Sequence, residues 1–183
     1  INKCLFLNQD PRVLDLCCGT GCIGLAIASR IPDATVTLAD ISLDALAVAN
    51  ENIRNNHMAD RVCTVRADAY CMPAEFAGSF DLIVSNPPYI TTQEMAELSD
   101  SVKNFEPHLA LHGGDDGLDF YRGIIENYTP GLKLGGYLCF EFGMGQGDDV
   151  CRLLQNKGYT ILERSRDYNH IQRCCIAQYT RED

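Results

Sequence analysis

The amino-acid sequence predicts a doubly wound α/β fold, in which helices cover both faces of one mostly parallel seven-stranded sheet. The main observation is that strand-like and helix-like segments alternate along most of the 183 residues. The length suffices for one substantial core and is too short for two comfortable domains. The composition, with 46% hydrophobic and 22% charged residues, is typical of an ordinary soluble globular protein. We therefore expect residues 1–183 to form a single domain.

The charge and the hydropathy pattern argue against two classes of partner. The formal net charge is −10 and no run of lysine or arginine is present, whereas binding to a nucleic-acid backbone depends on a basic patch. No apolar run reaches membrane-spanning length, and no basic segment followed by an apolar one opens the chain. We expect no direct nucleic-acid partner and no membrane association. Basic proteins or small molecules fit this charge better as substrates.

The ten cysteines invite a disulfide or zinc interpretation, which their spacing does not support. No Cys-x-x-Cys pair is present, and adjacent Cys-Cys pairs are poor chelators. Six cysteines lie in or beside strand-like apolar runs, where a free thiol acts as a small buried hydrophobe. These six are Cys17, Cys18, Cys63, Cys139, Cys174 and Cys175. We expect structural thiols, no metal, and a reducing, cytoplasmic location.

The first predicted strand, residues 12–17, leads into a glycine-rich turn. The turn, Gly19-Thr20-Gly21-Cys22-Ile23-Gly24, matches the pattern G-x-G-x-x-G between a strand and a helix. Glycine at positions 19 and 21 permits a tight turn and a close backbone approach to a ligand. The helix that follows reaches about Arg30. The turn alone is consistent with either a ligand loop or a purely structural turn.

An acidic residue follows each of the next two predicted strands. The second strand, 34–39, ends at Asp40, whose carboxylate is placed to accept hydrogen bonds from ribose hydroxyls. The glycine-rich turn together with Asp40 indicates a nucleoside-type cofactor, although nothing here separates NAD from another adenosine cofactor. The third strand, 61–66, leads to Asp68 and Ala69. These two suit an adenine amino group and an adenine ring, while a helix cap or a solvated loop acid is the alternative for Asp68.

The fourth predicted strand delivers the most informative stretch, which spans residues 80–89. Its apolar run stops at Asn86, because two prolines in a row cannot continue a sheet ladder. The amide of Asn86 is thus presented on a stiff backbone at a strand's carboxyl end, where open α/β sheets bind ligands. Asn86 Oδ1 and the Pro87 carbonyl form two adjacent acceptors, and Tyr89 adds an aromatic wall. Two acceptors suit a planar –NH2 group; a tight turn with a capping asparagine is the alternative.

The rest of the chain completes the sheet and contains one long segment without a strand. That segment, 90–116, holds a weak helix near 92–98. A long segment of this kind directly after a site is more often a functional lid than a connection without a role. The further helices are predicted at 117–128 and 148–157, and the further strands at 136–142, 159–163 and 172–179.

Two motifs together resemble the class I S-adenosylmethionine-dependent methyltransferases that act on planar nitrogen. They are Asp15-Leu16-Cys17-Cys18-Gly19-Thr20-Gly21 and Asn86-Pro87-Pro88-Tyr89. Hydride transfer has no use for two acceptors aimed at an amine or amide, whereas methyl transfer from a sulfonium to such a nitrogen does. Three downstream segments are similar to those of the HemK/PrmC family of protein-(glutamine-N5) methyltransferases. These segments are 105–111, 113–122 and 141–143, and the resemblance covers 12–178.

The resemblance implies a Rossmann-like class I methyltransferase fold and the cofactor S-adenosyl-L-methionine, with S-adenosyl-L-homocysteine as product. The implied cofactor-binding residues are Cys17, Cys18, Gly19, Thr20, Gly21, Asp40, Asp68, Ala69 and Asn86. The implied substrate-binding residues are Asn86, Pro87, Pro88 and Tyr89. Of these, Asn86, Pro87 and Tyr89 carry the catalytic role, and no catalytic acid or base is named.

The implied reaction is methylation of the side-chain amide nitrogen of a glutamine in a protein. The implied partner is a peptide chain release factor, methylated in its Gly-Gly-Gln motif. Glutamine methylation of a ribosomal protein and N-methylation of a nucleic-acid base are the alternatives within the same chemistry. From other classes, an NAD-dependent oxidoreductase would leave Asn86 to Tyr89 without a role, and a non-catalytic cofactor-binding module is the remaining alternative.

The sequence departs from the family's pattern at three places. The family often has glycine at the position of Cys17, and an aromatic ring is common at the position of Ala69. The helical N-terminal domain that usually helps to grip the release factor is expected to be absent from residues 1–183.

Overall fold

The structure is a computed structural model that describes residues 10–98 and 107–180. Its strands are β1 (Arg12–Leu16), β2 (Thr35–Asp40), β3 (Val62–Arg66), β4 (Phe80–Ser85), β5 (Leu132–Glu141), β6 (Tyr159–Arg166) and β7 (Gln172–Tyr179). Its α-helices are α1 (Cys22–Arg30), α2 (Leu43–Asn55), α3 (Thr92–Glu97), α4 (Asp119–Tyr128) and α5 (Gly147–Asn156). Short 3-10 turns lie at Ala74–Phe76, His108–Ala110 and Thr129–Gly131.

The seven strands form one sheet in the order β3-β2-β1-β4-β5-β7-β6. Neighbouring strands are parallel from β3 to β5, and β7 is antiparallel to both β5 and β6. The chain winds outward from β1 in one direction and then from β4 in the other, so the two halves diverge between these strands. A ligand crevice opens at such a point, at the carboxyl ends of the strands. The prediction of a doubly wound, mostly parallel, seven-stranded sheet is confirmed.

Apolar layers bury both faces of the sheet. Successive strand residues face opposite sides, so Leu14 belongs to the layer under α4 and α5 while Val13 belongs to the layer under α1 and α2. The α4–α5 layer contains several wholly buried rings, among them Tyr121, Tyr128 and Phe140. Because both faces are covered, the central strands read as nearly continuous apolar runs. No helix in the described parts of the chain has the length and apolar character that a membrane crossing needs.

The observed elements differ from the predicted ones mainly at their ends. Strand β5 begins at Leu132 rather than at 136, because its pairing with β4 shifts register around Gly135, which has a φ of 78°. Helix α4 begins at Asp119 rather than at 117, since Gly117 has a left-handed φ of 71°. The expectation that the strand cysteines are buried is wrong for Cys63, which is exposed because β3 is an edge strand.

Candidate active site

A cavity of about 550 Å³ opens at the carboxyl ends of the central parallel strands. Its size is within the range of ordinary small-molecule sites. The loops after β1, β2, β3 and β4 supply most of its wall. From these loops come Cys17, Cys18, Gly19, Thr20, Asp40, Ile41, Ser42, Ala67, Asp68, Ala69, Tyr70, Asn86 and Pro88. The rest of the wall includes Pro107, Leu109, Ala110 and Phe120.

The loop after β1 turns sharply because Cys17, Gly19 and Gly21 all have positive φ angles. The Gly21 N–H donates to the Cys18 carbonyl at 2.8 Å, and the Cys18 N–H donates to the Ala39 carbonyl at 3.0 Å, which ties the loop to β2. A Cβ atom on Gly19 would have no neighbour within 4 Å. The backbone at Gly19 therefore borders open space, as a loop that receives a ligand requires.

Cys17 holds a left-handed backbone conformation, with a φ of 59°, that costs a residue with a side chain more than it costs glycine. Burial and, to a smaller extent, the negative charge of Asp40 together raise the pKa of its thiol to about 12. Burial likewise raises the pKa of the Cys18 thiol. Both side chains are consequently neutral thiols near pH 7, and they add no anionic charge to this wall.

Asp40 connects the loops after β1 and β2. Its Oδ2 accepts the Gly19 N–H at 2.9 Å and its Oδ1 accepts the Ser42 N–H at 2.9 Å. A carboxylate offers about four acceptor positions, so this half-buried side chain retains capacity for hydroxyl donors. Asp40 therefore both shapes the loop and presents acceptors to the cavity.

Asp15 lies in the middle of the sheet beneath the glycine-rich loop and is only 1% exposed. Its Oδ2 accepts the Gly24 N–H at 2.7 Å, whereas its buried Oδ1 has no hydrogen-bond partner in the structure. The pKa of this carboxyl is raised to about 7: burial is the main cause, the Gly24 hydrogen bond opposes it, and the negative charge of Asp40 contributes to the rise. Asp15 belongs to the first sequence motif but is not among the predicted site residues. The feature that could have indicated a role in the site is the position of this acidic residue inside an apolar strand.

Asp68 and Ala69 both line the cavity, as the sequence predicts, but they differ in their exposure to solvent. Asp68 is exposed, and its Oδ1 accepts the Tyr70 N–H at 2.9 Å, a local loop contact that resembles the alternative interpretation of this residue. Ala69 is buried. The Tyr70 and Phe120 rings contact each other, with centroids 5.2 Å apart, and both line the cavity. Neither ring is among the predicted site residues, although Tyr70 is only two residues past Asp68.

The stretch from Asn86 to Tyr89 leaves the centre of the sheet at the cavity. The Ser85 hydroxyl donates to the Leu16 carbonyl at 2.7 Å, which holds the ends of β4 and β1 together. Asn86 is exposed and lines the cavity, as does the buried Pro88. Pro87 is buried and does not appear in the wall.

Tyr89 lies outside the main cavity, on a second one of about 320 Å³. The other residues of that second cavity are Ile90, Glu94, Glu97, Leu98, Gly143, Met144 and Gln146. Gly21 also lies outside the wall of the main cavity; a Cβ there would approach Leu38 Cδ1 to 2.7 Å, so its role in the structure is close packing of the loop on β2. The structure thus brings together nine of the twelve predicted site residues and places Gly21, Pro87 and Tyr89 beside them.

The segment predicted as a lid, 90–116, is described only at its two ends, and 99–106 lies outside the described residues. Its ends are joined to each other. The Ile90 N–H donates to the Leu111 carbonyl at 2.9 Å, and the Gly113 N–H donates to the Ile90 carbonyl at 2.8 Å. Pro107 and Leu109 reach the cavity wall. A function as a lid stays a prediction.

The chemistry of the cavity fits S-adenosylmethionine. Asp40 has acceptor oxygens of the kind that ribose hydroxyls need, the backbone at Gly19 borders open space, and the wall that includes Tyr70 and Phe120 has the apolar, aromatic character that suits a purine ring. Within the described ranges, no three His, Cys, Asp or Glu side chains are grouped as ligands for a metal ion.

Comparison with known sequences identifies a family. Residues 2–109 match the family model described as Methyltransferase small domain. The chain is 40% identical over 171 residues to a release factor glutamine methyltransferase of Clostridium acetobutylicum, which covers 93% of this chain and 60% of that protein. It is 45% identical over 140 residues to a ribosomal protein uL3 glutamine methyltransferase of Francisella tularensis, with 76% and 44% covered. The predicted resemblance to glutamine methyltransferases is confirmed. The chain spans about three fifths of the length of the first of these relatives.

Comparison with solved structures confirms the predicted methyltransferase fold. A methyltransferase from Pyrococcus furiosus matches with a TM-score of 0.69 at 17% identity, over 96% of this chain and 78% of that one. A SAM-dependent methyltransferase from Aquifex aeolicus matches with a TM-score of 0.65 at 15% identity, over 95% and 85%. At these identities the likeness concerns the fold alone.

Proposed function

The chain belongs to the methyltransferase small domain family, and we propose that it transfers a methyl group from S-adenosylmethionine to the side-chain amide nitrogen of a glutamine in a protein. The observation that carries this proposal is the place of Asn86, which ends a central strand and lines the same cavity as the glycine-rich loop and Asp40. Relatives about 40% identical that are named release factor glutamine methyltransferases support the substrate class. The proposed substrate is the Gly-Gly-Gln motif of a release factor, met in the cytoplasm.

The proposed role of Asn86 and Pro87 is to make a weak nucleophile reactive. An amide nitrogen reacts poorly because its lone pair is delocalised into the carbonyl. Asn86 Oδ1 and the Pro87 carbonyl would accept the two N–H groups, turn the lone pair toward the reacting centre and stabilise positive charge that develops on nitrogen. Holding the two reactants in the right orientation lowers the activation barrier further. Bound S-adenosylmethionine supplies an electrophilic methyl group, and the nitrogen can lose its proton afterwards, so we assign no general base.

The other predicted residues have binding roles in this proposal. Asp40 accepts ribose hydroxyls, and the loop from Cys17 to Thr20 surrounds the methionine part. The rings of Tyr70 and Phe120, together with Asp68 and Ala69, border the adenine. Pro88 and Tyr89 complete the substrate side, since they line the two cavities that flank this stretch.

A second candidate substrate is a glutamine of a ribosomal protein. The observation that supports it is the 45% identity over 140 residues to the uL3 glutamine methyltransferase, which equals the identity to the release-factor relatives, 40% over 171 residues and 44% over 147, to within a few per cent. The two candidates share the chemistry of Asn86 and differ only in the protein that is recognised. Parallel assays on a release factor and on uL3, at equal concentrations, separate them.

The first experiment is calorimetric titration of the 183-residue chain with S-adenosylhomocysteine and, separately, with NADH. We expect binding of S-adenosylhomocysteine and no heat with NADH. Binding of NADH alone would contradict the proposal and favour the oxidoreductase.

The second experiment compares Asn86→Ala with Asn127→Ala in the full-length protein. Asn127 is a matched control, because its amide makes a local helix bond to the Gly123 carbonyl at 2.8 Å. We expect Asn86→Ala to lower kcat about 100-fold or more, the usual cost of removing one preorganised group, with the affinity for S-adenosylhomocysteine nearly unchanged. A loss of affinity as large as the loss of rate would refute the role of Asn86.

A further inference from the structure

Gln146 joins two motif segments to which the proposed function assigns no role. These are the glycine segment 113–117 and the segment 141–143 at the end of β5. Gln146 Nε2 donates to the Tyr89 carbonyl at 2.9 Å and lies 3.4 Å from the Gly117 carbonyl. Gln146 Oε1 accepts the Gly143 N–H at 2.9 Å. One half-buried side chain thus connects three chain segments directly behind the Asn86–Tyr89 stretch.

Glycine is required where these segments meet, because the backbones approach too closely for a side chain. A Cβ atom on Gly117 would lie 2.4 Å from both the Tyr89 carbonyl oxygen and Gln146 Nε2. On Gly143 it would lie 2.9 Å from Gln146 Oε1 and from Tyr89 Cδ2, and on Gly113 it would lie 2.7 Å from Tyr89 Cα. Contacts below 3.0 Å force a displacement, so these three glycines leave the room that the Gln146 contact needs.

The contact matters because it helps to fix the end of the stretch that lies beyond the strand. Strand β4 fixes its entry, since it lies between β1 and β5 in the centre of the sheet. Proline rings restrict φ at residues 87 and 88, and Pro88 also restricts ψ at Pro87, but the rings do not fix ψ at Pro88, and proline has no N–H with which to anchor itself. The Gln146 bond to Tyr89 and the Ile90 bond to the Leu111 carbonyl hold the exit.

We propose that Gln146 is a positioning residue, whose amide anchors the Tyr89 carbonyl and thereby holds the Asn86 and Pro87 acceptors in their reactive arrangement. The catalytic part of this inference rests on the proposed function. Gln146 is not assigned a contact with the reacting atoms. Its effect is to reduce the conformations that the acceptor pair samples, which is the preorganisation on which such sites depend.

Gln178 provides a matched control for a merely structural glutamine. It is also half-buried, and its Nε2 donates to the Gly135 carbonyl at 2.9 Å and lies 3.4 Å from the Tyr137 hydroxyl. It therefore bridges β7 and β5 with the same kind of bonds, but it borders neither of the two cavities described above. Gln178→Ala reports what the loss of such a bridge does to the fold in general.

The test compares Gln146→Ala, Gln146→Glu and Gln178→Ala. Gln146→Glu retains an acceptor for the Gly143 N–H and removes the donor to the Tyr89 carbonyl, so it isolates the anchoring bond. The first readout is hydrogen exchange of backbone amides in the 183-residue chain, which requires no methyl acceptor. We expect exchange at Ile90 and Gly113 to accelerate about tenfold in both Gln146 variants, with no change at Ile83 and no such effect in Gln178→Ala.

The second readout is steady-state kinetics of the full-length protein. We expect both Gln146 variants to lower kcat about tenfold with KM for S-adenosylmethionine unchanged, and Gln178→Ala to retain the parental kcat. Unchanged exchange at Ile90 and Gly113 would overturn the inference, as would a parental kcat in Gln146→Glu or an equal loss in Gln178→Ala. If the parent protein methylates no glutamine, the proposed function fails, while hydrogen exchange still decides whether Gln146 anchors this stretch.

Discussion

Replacing Asp15 by asparagine tests how the buried centre of the site is built. The Asp15 carboxyl is 1% exposed, one of its oxygens has no hydrogen-bond partner, and its pKa is raised from 3.8 to about 7, mainly by burial. In Asp15→Asn the side-chain oxygen can still accept the Gly24 N–H, and the group no longer titrates. The substitution therefore removes the pH-dependent part of the cost of burying this side chain and keeps the shape of the side chain.

The sign and size of the effect follow from the two pKa values. The folded state holds the Asp15 proton more tightly than the unfolded state, so this carboxyl lowers stability as the pH rises from about 4 to about 7. One pKa unit corresponds to about 1.4 kcal/mol, and the full penalty is then about 4 kcal/mol. About half of it, ~2 kcal/mol, develops between pH 5.5 and pH 8. The new buried NH2 group costs a further 1–3 kcal/mol, roughly, which is independent of pH.

Urea unfolding of the parent and Asp15→Asn at pH 5.5 and pH 8 measures this penalty. Because the other carboxylates are common to both proteins, the change in their stability difference isolates Asp15. We expect the variant to gain about 2 kcal/mol relative to the parent between the two pH values, or about 1 M in the urea midpoint at a typical slope. A stability difference that is the same at both pH values would refute the assignment of a raised pKa to Asp15.

Three further substitutions test other parts of the site. Asp40→Asn should weaken binding of S-adenosylhomocysteine about tenfold, because the amide keeps one acceptor oxygen and loses the other; titration calorimetry measures this, with the exposed Asp44→Asn as control. Phe120→Ala should weaken the same binding by about 1 kcal/mol through loss of an aromatic wall; an unchanged dissociation constant would contradict its place beside adenine. Gly113→Ala should lower the free energy of unfolding by about 1–3 kcal/mol, since its Cβ would lie 2.7 Å from Tyr89 Cα; thermal unfolding checks it, and a parental melting temperature would contradict that contact.

The sequence was sufficient for the sheet and for the residues at the strand ends. Strands buried on both faces appear as apolar runs, and the residue that ends each run lies at the same edge of a parallel sheet. Asp40, Asp68 and Asn86 could therefore be placed at one cavity before the fold was known. The proline pair after Asn86 also indicated where the fourth strand ends, because two prolines cannot continue the hydrogen bonds of a sheet.

The remaining features depend on packing between distant segments. Gln146 contacts Tyr89 across 57 positions in the sequence, so no local pattern links them. The ring of Phe120 lines the cavity from α4 and contacts the ring of Tyr70, which lies 50 positions earlier in the sequence. Tyr89 was expected at the main cavity and lies on the second one, whose wall it shares with the distant residues Gly143 and Gln146.

The most direct test of the account is to identify the atom that receives the methyl group. The full-length protein is incubated with S-adenosylmethionine and a release factor, and the digested release factor is analysed by fragmentation mass spectrometry. We expect a single methyl group on the glutamine of the Gly-Gly-Gln motif, and no methyl group when the Asn86→Ala variant is used in place of the parent protein. A methyl group on a different type of residue, or an unmodified glutamine in both the release factor and uL3 despite cofactor binding, would contradict it.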